Sequence, residues 1–422
     1  MSGPLQIRFL AALVLLLGLA AGNQARAQAD QCGVERHVPT GTLDEPTWNR
    51  LNKAYDLVGK EEYDDAMEQL EYVRNRARSD YLKAVVAQAI AQVDWAKGNY
   101  DDALKEFELA VQLNALPDQT HFALMYQIAQ LYYMQERYDE ALQRLDLWFC
   151  KSPPDKITAL AYVLQGSIYA QKEDWKNVIK SMDKAISMDE NPKESWYQLK
   201  LAAQFQLSDW SAARDTLKVM ITKWPSKKDY WLQLSNTYFK LEDDDNALSV
   251  IALAYRKNML NKQSDLLYLS NLYSYRDVPY KAAEVLQKGI EDGIVEPSEK
   301  YWTMIADAWY AADELEKSLH AYEEAGKMAK DGKIDLRRGY ILVDLERWED
   351  AREALTKALD KGGITDRQTG EAYIMKGMAE FNLGNWDQAS TNWGRASHYK
   401  TAKAAAQQWM NALKDERARR SS

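Results

Sequence analysis

Few residue groupings in this 422-residue chain have the types and spacing to do chemistry. The four histidines, His37, His121, His320 and His398, are scattered, and none lies three or four residues from another. A helical metal site needs two ligands on one face, so these read as surface or capping histidines. The stretch from Gly326 to Lys333 contains Gly-Lys twice, but it lacks the spacing and the Ser/Thr of a phosphate-binding loop. No Gly-x-Ser-x-Gly occurs. The acidic runs Asp101-Asp102 and Asp243-Asp244-Asp245 fall at expected helix starts, where carboxylates favour the positive end of the helix dipole. Read as catalytic pairs, they would want a pocket around them, which nothing in their context supplies. The expectation is a protein with no enzymatic activity, no metal, no cofactor and no small-molecule substrate.

Two cysteines remain, Cys32 and Cys150. They are too far apart for any zinc spacing. In an exported chain an even count permits one disulfide, with two free thiols as the alternative. The bond would close a loop of more than a hundred residues, worth up to ~4.7 kcal/mol of chain entropy.

Export is legible at the N-terminus. Arg8 precedes an apolar run from Phe9 to Ala21, and small and polar residues follow, ending in Ala25-Arg26-Ala27. This is the order of a secretory leader cleaved after Ala27, with an uncleaved membrane anchor as the alternative. Cleavage would leave no stable membrane insertion. Ala29-Asp30-Gln31 before Cys32 does not suit lipoprotein processing. The net charge is −9, and loss of Arg8 and Arg26 makes it −11. Such a field does not draw nucleic acid or anionic lipid. The basic tail, Arg417, Arg419 and Arg420, reads as solubility at a frayed end.

The composition, 46% hydrophobic and 28% charged with few Gly and Pro, suits packed helices. A single pattern organises them. It runs large apolar, two residues, apolar, small, two residues, aromatic; then, after a gap, aromatic, two residues, Ala, three residues, large apolar. Trp231, Leu234, Ser235, Tyr238, Ala247, Ile251 and Ala254 show it best. With the central small residue as a marker, ten copies are found: Ala66, Ala103, Ala141, Val178, Ala213, Ala247, Ala282, Ser318, Ala351 and Ala389. They lie 33 to 38 residues apart. The small residues let two helices, A and B, cross closely, and the large ones fill the space between. An aromatic three residues before the marker is expected to start helix B: Tyr63, Tyr100, Tyr138, Trp175, Trp210, Trp348 and Trp386. Gly98-Asn99 and Gly384-Asn385 signal the turns, and Pro117, Pro153, Pro192 and Pro225 fall after helix B.

These residues resemble the tetratricopeptide repeat, over about residues 47 to 398. The resemblance implies an all-α fold: a right-handed superhelical solenoid of about ten helix-turn-helix repeats. Before it lie the leader (1–27) and an extended segment (28–46), and after it a capping helix with the basic tail (399–422). Trp409 and Leu413 share one face of that last helix, fit to dock on repeat ten. Three departures occur: Asp94 in place of an aromatic, and Asp244 and Pro279 at helix-B starts. Those copies are expected to be looser or shifted by a residue.

The resemblance also implies protein binding on the concave face, at helix-A positions two, five, nine and twelve. Repeats six to eight place Asn236, Asn271 and Asp307 at position nine, and Phe239 and Tyr310 at position twelve. Such a ladder would hydrogen-bond an extended peptide while the aromatics hold its side chains, or else form a solvated, internally bonded wall. The cationic clamp of some family members is not evident, since position five of repeat six is Leu232. More narrowly, Cys32-Gly33, Leu43-Asp44-Glu45, Trp48 and Pro279-Tyr280-Lys281-Ala282-Ala283 resemble periplasmic tetratricopeptide proteins encoded beside TonB-type energy-transduction systems of proteobacteria. That likeness implies a periplasmic scaffold whose partners are TonB-system components serving outer-membrane uptake. The alternative is an envelope-biogenesis factor meeting peptidoglycan or outer-membrane assembly proteins.

Overall fold

The computed structural model describes residue 36, residue 38 and residues 41–421. The leader, its cleavage site at Ala27, and Cys32 lie outside the described residues. Within them are twenty-one α-helices, one short 3-10 turn at Pro154–Lys156, and no strand. The helices follow one another as pairs. They are α1 (Glu45–Gly59) and α2 (Tyr63–Arg74), α3 (Asp80–Lys97) and α4 (Tyr100–Gln112), α5 (Asp118–Met134) and α6 (Tyr138–Lys151), and α7 (Ala159–Gln171) and α8 (Trp175–Ser187). Next come α9 (Glu194–Gln206) and α10 (Trp210–Lys223), α11 (Lys228–Lys240) and α12 (Asp244–Arg256), and α13 (Gln263–Tyr275) and α14 (Pro279–Glu291). The last pairs are α15 (Glu299–Ala311) and α16 (Leu315–Met328), α17 (Lys333–Asp344) and α18 (Trp348–Lys361), and α19 (Asp366–Asn382) and α20 (Trp386–Ala396), followed by α21 (Lys403–Ser421). The fold is all-α, in helix-turn-helix pairs. The chain forms two compact units, one ending at Thr216 and the other beginning at Leu217.

The marker residues hold the repeat in register. All ten, from Ala66 to Ala389, are 0% exposed. Each stands three residues into its second helix. The partner position, twelve residues earlier on the first helix, is small and buried in nine copies: Ala54, Ala91, Ala129, Gly166, Ser235, Ser270, Ala306, Gly339 and Gly377. Leu201 is the exception. In three copies that partner is a glycine pressed against the side chain four residues past the marker: Gly166 on Met182, Gly339 on Leu355 and Gly377 on Trp393. A Cβ on Gly377 would lie 2.3 Å from the Trp393 indole nitrogen, inside any possible contact.

The turns follow one rule that the sequence reading found only in part. Two residues before each second helix the backbone enters the left-handed region: Glu61, Gly98, Glu136, Glu173, Ser208, Glu242, Asp277, Asp313, Glu346 and Gly384. Only two of these ten are glycine, so the Gly-Asn signals mark a minority of the turns. The copies with Asp244 and Pro279 are not shifted. Their second helices begin three residues before the marker like the others. Pro279 sits in the first turn, where its missing N–H is not needed. Asp243 caps α12 by accepting from the Asn246 N–H at 3.3 Å. Asp94 is buried and accepts a hydrogen bond from the Asn99 side chain at 3.4 Å, which ties the turn to α3.

Both ends of the described chain are fastened. In the first unit the Arg36 side chain is 9% exposed. Its guanidinium donates to Asn114 Oδ1 (2.7 Å), Asp118 Oδ1 (2.7 Å) and the Leu116 carbonyl (2.8 Å). In the second unit Trp409 stacks on Trp393 at 5.5 Å, and Leu413 is buried in the same cluster.

Candidate partner-binding groove

Side-chain bridges run from one first helix to the next throughout the second unit. Ser235 of α11 and Tyr268 of α13 share a hydroxyl–hydroxyl bond of 3.0 Å. Gln263 of α13 donates to Tyr301 of α15 at 3.2 Å. Arg337 of α17 donates to Asp307 of α15 at 2.6 Å, and Tyr340 of α17 donates to Glu371 of α19 at 2.9 Å. The first helices therefore stand side by side as a continuous wall. It exposes the residues singled out by register: Asn236, Phe239, Asn271, Asp307 and Tyr310 are all exposed.

Their surroundings differ. Asn236 and Asn271 present open amides. Phe239 meets Tyr275 edge to face at 6.0 Å, and Tyr275 is itself exposed. Asp307 and Tyr310, three apart on α15, line a cavity of about 260 Å³ with Tyr322, Arg337, Tyr340 and Ile341. Asp307 is not an idle acceptor there. The Tyr322 hydroxyl and the Arg337 guanidinium both donate to it. Burial, and then the bond to Asp307 and its charge, push the Tyr322 phenol well above its ordinary range, while Arg337 opposes. Tyr340 is raised in the same way by burial and by Glu371. These phenols stay protonated and act as donors. The cavity is thus a tyrosine-lined recess with one carboxylate neutralised by one arginine. It can accept an apolar or aromatic side chain, and the outer guanidinium edge can bind an acceptor.

Register alone singled out Asp307 and Tyr310 but missed Tyr322, Arg337 and Tyr340. Tyr340 occupies the same register on α17 as Asn271 on α13, and that was the available signal. The first unit has a more polar recess of about 540 Å³ lined by Asp101, Lys105, Glu108, Tyr132 and Arg137 among others. Its charges are paired: Tyr132 and Arg144 both engage Glu108, at 3.2 and 2.7 Å. Cys150 is half-buried on α6, and its pairing with Cys32 falls outside the described residues. Of the histidines expected at the surface or at caps, His121 is instead buried, in the first turn of α5, within reach of the Arg36 charge. Among the described residues no three His, Cys, Asp or Glu side chains gather as a metal site, and no helix is long and apolar enough to cross a membrane.

Comparison with known proteins agrees with this architecture. Tetratricopeptide-repeat sequence profiles match residues 88–148, 159–192 and 336–400. No curated protein sequence matches. Among solved structures, a tetratricopeptide repeat protein from Parabacteroides merdae is 14% identical, covering 68% of this chain and 94% of that one, with a TM-score of 0.36. The TPR2AB domain of yeast Sti1, solved as a pHSP90 complex, is 16% identical over 60% of this chain and 96% of that one, with a TM-score of 0.33. YrrB, described as a TPR protein with an unusual peptide-binding site, is 12% identical over 46% of this chain and 97% of its own, with a TM-score of 0.35. Over residues 88–148, 159–192 and 336–400 the chain carries tetratricopeptide repeats.

Proposed function

We propose that this chain is an exported, non-enzymatic scaffold that holds an extended segment of a partner protein along the first-helix wall of its second unit. One observation carries the reading. Successive repeats expose Asn236, Asn271 and Asp307 at one register, next to exposed aromatics and a tyrosine-lined recess. A peptide backbone repeats its polar groups regularly, and a ladder of side-chain amides can meet them. The Arg8–Ala27 leader supports a periplasmic setting in a Gram-negative cell, where a Cys32–Cys150 disulfide would form.

The narrower assignment is an accessory of a TonB-type energy-transduction complex, and it rests on the N-terminal and Pro279–Ala283 likenesses. Cross-linking in cells followed by mass spectrometry tests it. Recovery of TonB-system proteins supports the assignment, and recovery of polysaccharide, pilus or outer-membrane assembly machinery replaces it with envelope biogenesis. The groove has its own test. Partner capture is expected to fall with Asn236→Ala combined with Asn271→Ala, and unchanged capture would place the site elsewhere.

A further inference from the structure

The first repeat carries a feature that the groove does not use. Tyr72, exposed on α2, has a guanidinium over its ring twice: Arg50 Cζ and Arg76 Cζ each lie 3.6 Å from the ring centre. Two such groups cannot share one face at that distance. They therefore flank the ring on opposite faces, and their carbons are about twice that distance apart. We propose that this arginine–tyrosine–arginine clamp is a binding site for carboxylates of an acidic peptide segment on a partner protein.

Three observations support it. First, neither guanidinium pairs with a carboxylate among the described residues, although the chain is acidic overall. The neighbouring cations are matched: Arg74 holds Glu106 at 2.9 Å, and Lys83 holds Asp80 at 3.1 Å. Second, both clamp arginines are held in place by one bond each. Arg50 donates to Gln69 Oε1 at 2.9 Å, and Arg76 donates to the Tyr72 carbonyl at 3.3 Å. Since guanidinium carries five N–H donors, most remain free for a ligand. Third, Arg50 stands sixteen residues before its marker, where later copies place Met125, Trp231, Leu266 and Trp302. A solubilising end would need only some polar residue at that position.

Guanidinium forks match carboxylates two oxygens at a time, so the two forks, on opposite faces of the ring, each offer a place to one carboxylate of the segment. A carboxylate suits the place better than a doubly charged phosphate. The helix N-terminus that follows Arg76 in sequence, that of α3, is already capped by Ser79, whose hydroxyl accepts from the Leu82 N–H at 3.2 Å, and it carries Asp80. It offers no extra donors to a second charge. The site lies in the first unit and stands independently of the groove in the second.

Fluorescence anisotropy of a labelled glutamate-rich peptide against the full-length chain, at low salt, tests the proposal. Saturable binding is expected. Arg50→Gln with Arg76→Gln should weaken it at least tenfold with the helical circular dichroism unchanged. Arg50→Lys with Arg76→Lys should also weaken it severalfold, because ammonium keeps the charge but neither stacks nor forks. Tyr72→Phe should bind as the parent chain does. Arg417→Gln with Arg419→Gln, at the far basic end, should have no effect. Absence of saturable binding, parental affinity in the double glutamine or double lysine variant, or binding of inorganic phosphate without the peptide would each overturn it.

Discussion

The Ser318 hydroxyl donates to the carbonyl of Ala306, 2.9 Å away, across the crossing of α15 and α16. Two repeats earlier the geometry runs the other way: Ser235, on the first helix, donates to the carbonyl of Ala247, the marker on the second, at 2.7 Å. Ser270 does the same to Ala282 at 2.9 Å. Helices this close leave room for one hydroxyl on either side. Ser318→Ala, which restores the usual marker, should cost only about 0.5–1 kcal/mol. Ser318→Leu should cost about 3 kcal/mol, because no space exists for its side chain. Urea unfolding of the two variants measures both.

Gly377 is fixed by the same close approach. The Trp393 ring lies over it, fully buried, with its indole N–H donating to the Ile374 carbonyl at 3.0 Å. Gly377→Val must displace the indole or separate α19 from α20. We expect a loss of about 3 kcal/mol, confined to the last repeat and α21 because repeats contact mainly their neighbours. Hydrogen exchange of α19–α21 would show it, and uniform loss along the chain would contradict it.

The turns make an opposite prediction. Glu242 and Glu346 adopt φ of 59° and 56°, a region that costs a side-chain-bearing residue energy. Glycine there removes that strain but adds freedom to the unfolded chain. The net effect of Glu242→Gly should be stabilisation by about 0.5 kcal/mol, whereas Gly98→Val should destabilise by more than 1 kcal/mol. Thermal unfolding gives the sign directly.

Lys228 and Asp265 form a nearly buried ion pair between α11 and α13, Nζ to Oδ2 2.8 Å. Asp265 also accepts the Lys262 backbone N–H at 3.2 Å. Lys228→Met would leave a buried carboxylate without its cation, at a cost of about 3 kcal/mol. Lys228→Met combined with Asp265→Leu should recover most of that loss, since the desolvated charge is then gone. A double-mutant cycle in urea measures the difference.

His121 sets a pH dependence. Burial, then the positive charges of Arg36 and Lys151, lower its pKa to about 4, and only Asp118 opposes. The folded state keeps the imidazole neutral, while the unfolded chain takes up a proton near the ordinary value of about 6.5. The unfolded state therefore binds more protons between these values, and stability falls as pH drops from about 6.5 to about 4. The first unit should lose on the order of 2 kcal/mol over that window. His121→Phe should flatten its share of the slope, and pH-dependent hydrogen exchange in α5 would report it.

Much of the fold could be read from local spacing. A helix pair needs one small residue at its crossing and a large one a turn later, and this requirement repeats within forty residues wherever the chain is read. Ala66 through Ala389 are therefore visible as a series, and so is the register that picks out Asn236, Asn271 and Asp307. Other features depend on residues brought together from different repeats. Asp307 accepts hydrogen bonds from Tyr322 and Arg337, fifteen and thirty residues away. His121 is buried and feels the charge of Arg36, which lies far back in sequence. The Tyr72 clamp joins a first helix, a second helix and a loop. Spacing along a helix determines which face a residue occupies. The partner it meets there, and hence its charge state and accessibility, depends on how neighbouring helices stack, and no single repeat carries that information.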